Sequence, residues 1–122
     1  METPQPESKP VVRSSDITLK VGLDDQNFPQ TIHWTASDSP YKDETNCKAF
    51  MLSIWDATQM RALRIDLHTP QMTIEEMNTF VFETIATLSE TYLKTTNNKE
   101  LAAELRDYAM NFGRKTGVLK SK

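Results

Sequence analysis

The chain has 122 residues, 38% apolar and 25% charged, with a formal net charge of -3. That length suits one domain with a modest core that needs no disulfide or metal staple. The mild acidity excludes the basic footprint on which nucleic-acid affinity rests, and the single cysteine, Cys47, excludes an internal disulfide.

Residues 1–15 are polar, with prolines at 4, 6 and 10, and read as a disordered arm. They lack the apolar stretch of a signal peptide, and no later run approaches the length of a membrane span. The expected location is the cytoplasm, without membrane insertion.

From Asp16 to Asp24 the chain alternates strictly, with Ile17, Leu19, Val21 and Leu23 on one side and Thr18, Lys20 and Gly22 on the other. That is the period of a half-buried strand. Asp24 to Pro29 is turn chemistry. Residues 30–36 alternate again, with Ile32, Trp34 and Ala36 opposite Thr31, His33 and Thr35, so the two strands predict an antiparallel hairpin.

Ser37 to Asn46 reads as a polar loop. Residues 47–56 are apolar at both parities and fit either a short helix or a strand covered on both faces. The strand is preferred, because residues 56–61 form a turn and residues 62–69 alternate cleanly after it. In that last strand Leu63, Ile65 and Leu67 are expected to face the helices, joined by Phe50, Leu52 and Ile54 from the preceding one.

Pro70 ends the sheet region. Thr73 and Glu76 have the spacing of a capping box, with Met72 and Met77 placed for a hydrophobic staple. A helix is predicted to about Lys94, its stripe carrying Met77, Phe80, Val81, Ile85, Leu88 and Tyr92. Asn97 followed by Glu100 signals a second cap. The next helix carries Leu101, Leu105, Tyr108 and Phe112 and ends near Gly113 or Gly117. Its last turn and the tail at 118–122 hold the one basic cluster, Arg114, Lys115, Lys120 and Lys122.

Four strands and then two helices predict an α+β fold: a four-stranded antiparallel sheet with two C-terminal helices packed on one face. SecB-like export chaperones share that element order, which is an analogy of fold and does not fix function.

Catalytic chemistry has little to build on. Three glycines in all leave no phosphate-binding loop. His33, His68 and Asp66 could in principle share a metal, but they lie on different strands at polar parity and read better as surface groups, so no cofactor is expected. Cys47 reads as a packing residue rather than a nucleophile. The methionines Met51, Met72, Met77 and Met110 fit core filling better than a peptide-binding surface. One face stands out. With Phe50, Leu52 and Ile54 turned inward, Met51 and Trp55 emerge on the opposite side beside Arg64, Asp66 and His68. An exposed tryptophan near an arginine is the composition of a protein contact. These five residues are the expected interaction site, for a second copy or for another protein.

Several segments together resemble a known family. Val21-Gly-Leu-Asp24, Ile32-His-Trp34-Thr-Ala-Ser-Asp38, Lys48 to Asp56, Leu63-Arg-Ile-Asp-Leu67, Met72-Thr-Ile-Glu-Glu-Met77 and Leu105-Arg-Asp-Tyr108 are similar to the signature segments of the gliding motility protein GldC family of Bacteroidetes. The resemblance spans about residues 16–117, which would form a single domain. It implies a noncatalytic accessory of gliding motility. Such an accessory would bind components of the gliding or type IX secretion apparatus, among them the lipoprotein GldB. The alternative expectation is a SecB-like holdase that binds unfolded export substrates.

Overall fold

The computed structural model describes residues 8–40 and 43–120. The first seven residues of the expected arm, Tyr41 and Lys42 of the expected loop, and the last two residues of the tail lie outside the described residues. The elements run β1 (Ile17–Leu23), β2 (Pro29–Ala36), β3 (Thr45–Cys47), β4 (Ala49–Asp56), β5 (Arg61–His68), α1 (Ile74–Thr96) and α2 (Lys99–Thr116). The class is α+β, with two C-terminal helices after the strands. Two compact units divide the chain at Thr69/Pro70, one carrying all the strands and the other both helices.

The strand unit corrects the expected four-stranded sheet. It holds a three-stranded sheet in the order β1-β2-β3 and a two-stranded sheet of β4 and β5. The correction arises inside the run 47–56. Thr45 to Cys47 pair with β2, placing Cys47 opposite Ile32, whereas Ala49 to Asp56 pair with β5. Lys48, between them, belongs to neither ladder. Its carbonyl accepts the backbone N–H of Thr69 at 2.8 Å and the Thr69 hydroxyl at 3.0 Å. The end of β5 is thereby tied to the point where the chain passes from one sheet to the other. Thr69 is buried there with its polar groups satisfied.

The two turns follow from aspartate chemistry. In the β1–β2 turn the Asp24 carboxylate accepts the N–H groups of Gln26 (2.8 Å) and Phe28 (3.0 Å) and the Gln30 amide (3.0 Å). Asn27 takes the left-handed conformation, which asparagine tolerates. In the β4–β5 turn Asp56 accepts the Thr58 N–H at 2.8 Å, and the left-handed residue is Met60.

β2 is the central strand of its sheet, and Ile32, between Val21 and Cys47, is completely buried. The hairpin β4–β5 differs. Its apolar side pairs Phe50 with Leu67, Leu52 with Ile65 and Ile54 with Leu63, as the alternation requires. The sequence places all six in the core. Instead Ile54, Leu63 and Ile65 are 49%, 41% and 51% exposed.

In the helical unit the capping box forms in full. Thr73 Oγ1 accepts the Glu76 N–H at 3.0 Å, and the Glu76 carboxylate accepts the Thr73 N–H at 3.0 Å. Asn97 caps α1 in the left-handed conformation, and Asn98 caps α2 by accepting the Leu101 N–H at 3.0 Å. The second N-cap thus falls one residue later than expected, because the tight turn requires Asn97 for the left-handed step. The inward side of α2 is small: Ala102, Ala109 and Gly113 are buried. A Cβ at Gly113 would stand 2.9 Å from the side chains of both Phe82 and Leu119. Leu88, Leu101 and Tyr108, assigned to the buried stripes by spacing, are exposed.

Two outcomes follow from this packing. Ala109→Leu should overfill the seam between α1 and α2 and cost about 1–3 kcal/mol in a urea denaturation series. The Asp24 carboxyl is held below its ordinary value, first by the Phe28 N–H and then by that of Gln26. A depressed acid stabilises the fold above its ordinary pKa and loses that contribution as pH falls through the depressed one. The melting temperature of Asp24→Asn should therefore fall less than that of the parent between neutral pH and about pH 2.

Candidate interaction face on the β4–β5 hairpin

The register brings the five expected interaction residues onto one face of β4–β5. Met51 stands opposite Asp66, Ser53 opposite Arg64, Trp55 opposite Ala62 and Ala49 opposite His68. Because Ala62 is small, the flank of the Trp55 ring stays open, and Trp55 is 63% exposed. Met51 is half-buried, and His68 is exposed. Arg64 lies along its own strand and donates to Asp66 from Nη2 at 2.8 Å and from Nε at 3.2 Å. That pair raises the Arg64 guanidinium further above its usual range. The face thus combines an aromatic ring, a thioether, a fixed charge pair and an imidazole. Such a set can grip a protein surface.

His33 lies elsewhere. It is on β2, opposite Lys20 of β1 and Asn46 of β3. Lys20 Nζ bonds the Glu44 carboxylate at 2.7 Å, which raises the lysine and lowers the glutamate. The three groups sharing this corner are not the His33, Asp66 and His68 set weighed from the sequence. Among the described residues no group of three or more His, Cys, Asp or Glu side chains could hold a metal ion.

Sequence reasoning missed two ties at the edge of the first sheet. Arg13 pairs with Asp38 at 3.0 Å, and the Ser37 hydroxyl accepts the Asp16 N–H at 2.8 Å. Arg13, Ser37 and Asp38 sit in segments with no periodicity, so no pattern could have flagged these ties. An open groove of about 260 Å³ lies between α1 and α2, lined by Ser89, Leu93, Lys99, Ala102, Ala103 and Arg106 among others. Glu90 also lines it, so charged side chains from both helices stand around an apolar floor.

The chain matches the model of the GldC-like family, described as gliding motility-associated protein GldC-like, over residues 29–118. It belongs to that family. The match covers both sheets from β2 onward and both helices. No curated protein and no solved structure matches the chain. This GldC-like protein is therefore gliding motility-associated. No helix among its described residues is long and apolar enough to cross a membrane.

Burial pushes the Cys47 thiol above its ordinary value, against a smaller opposing effect of the Ala49 N–H. The nucleophilic thiolate is correspondingly scarce at neutral pH. A colorimetric disulfide reagent should label Cys47 of the folded protein more slowly than the unfolded chain at neutral pH. The gap should close as pH rises past the thiol range.

Proposed function

We propose that this GldC-like protein is a noncatalytic accessory of gliding motility. In this reading it works in the cytoplasm and binds one protein component of the gliding or type IX secretion apparatus. The docking face is that of Met51, Trp55, Arg64, Asp66 and His68. The observation that carries the proposal is Trp55, 63% exposed on a regular strand, with Met51 and the Arg64–Asp66 pair on the same face. Tryptophan and arginine dominate the energetics of protein contacts, and an exposed tryptophan gives the isolated chain little stability. In this reading the lipoprotein GldB is one such component.

The test is affinity capture from gliding cells with the parent chain and with Trp55→Ala. The parent should retain one stoichiometric partner, and Trp55→Ala should lose it while its melting temperature changes little. Capture of many unfolded clients, unchanged by Trp55→Ala, would instead support a SecB-like holdase. Unfolding of the variant would place Trp55 in the core and sink the docking face.

A further inference from the structure

β5 is an outer strand with an open edge. β4 pairs with one side of it, and no described strand pairs with the other. The backbone directions on β5 follow from the Thr69 N–H, which donates to Lys48 across the β4–β5 ladder. In antiparallel pairing every second residue shares that direction, so Leu63, Ile65 and Leu67 turn their backbone groups toward β4. Ala62, Arg64, Asp66 and His68 turn theirs toward the open side.

Proteins blunt such edges with bulges, proline, charged side chains (lysine above all) or short strands. β5 is eight residues long, has no proline or lysine, and pairs with β4 in unbroken register. Of the outer strands of the other sheet, β1 carries a register irregularity between Gly22 and Leu23 and bears Lys20, and β3 is three residues long. β4 and β5 are left as long, unbroken outer strands, and of the two only β5 carries charges of both signs.

Its charges select the occupant. A two-fold antiparallel pairing centred on residue 64 would set Arg64 against Arg64, and one centred on residue 66 would set Asp66 against Asp66. Centred on Ile65, the same pairing sets Arg64 opposite Asp66 of the second copy, and by symmetry does so twice. It also sets Leu63 opposite Leu67 and Ile65 opposite itself on the apolar side. The centre agrees with the backbone directions, because residues 64 and 66 are the ones whose N–H and C=O groups face outward. Opposite charges and branched apolar residues directly across a ladder stabilise it, and like charges destabilise it. The Arg64–Asp66 bond within each chain then becomes part of an alternating cluster of four charges.

We infer that two copies of this chain join β5 to β5 about Ile65, making a four-stranded β4–β5–β5–β4 sheet. The pairing doubles the Trp55 face on one side and the apolar face on the other. It stands independently of any motility partner, because it uses the strand edge.

The experiment is sedimentation equilibrium of the full chain over a concentration series, with circular dichroism to confirm folding. Arg64→Glu sets glutamate opposite Asp66, and Asp66→Arg sets arginine opposite Arg64. Each single variant should raise the dimer dissociation constant by about tenfold or more. An equimolar mixture of the two should dimerise more tightly than either alone, because opposite charges then meet at both positions. The double variant R64E/D66R should recover the parent value. This rescue separates a broken interface from a damaged fold. A parent chain that stays monomeric throughout, a dimer indifferent to both reversals, or a mixture no tighter than its components would each overturn the pairing.

Discussion

One carbonyl holds the strand unit in its observed form. The Lys48 oxygen accepts both donors of Thr69, at the residue where the long strand run changes partner. Before it the chain is the third strand beside β2, and after it the chain is the partner of β5. A buried hydroxyl or N–H without a partner is costly, so Thr69 can occupy its nearly inaccessible position only while Lys48 O is presented to it. The same bond fixes the phase of β5. It decides which backbone groups of that strand face β4 and which face outward.

The hairpin beyond that tie is built unlike the first sheet. In the first sheet Ile32 is fully enclosed, and polar groups such as Lys20 and Glu44 satisfy one another at the rim. In β4–β5, apolar residues lie open on one side, and Trp55 lies open on the other. A two-stranded ribbon is marginal by itself and gains independent stability from further strands or a cover. This hairpin has what such association requires: a regular register, an open edge and a charge pair whose members oppose each other when the strand meets its own copy. Membership of a gliding motility-associated family gives such a surface a context.

Local features were legible in the sequence because local physics decides them. Thr73 and Glu76 form a capping box wherever a helix starts with them, and Asp24 and Asp56 gather the N–H groups of their own turns. The alternation of 16–24, 30–36 and 62–69 fixed three strands, and the parity of Met51, Trp55, Arg64, Asp66 and His68 fixed their shared face. β3 was not legible, because three residues are too few to show a period. Arg13, Asp38 and Glu44 found partners far along the chain, which no spacing rule relates.

Sequence alone determined the α+β class, the order of strands before helices, the family and the two-sided character of the β4–β5 run. Tertiary structure alone decided that this run is divided at Lys48, so that the strands form sheets of three and two. It also decided that Ile54, Leu63 and Ile65, apolar by pattern and expected in the core, lie open. Alternation reports which residues share a side of a strand, and it carries no information on what covers that side. That depends on long-range hydrogen bonds such as Lys48 to Thr69 and on the partners available to each ladder edge.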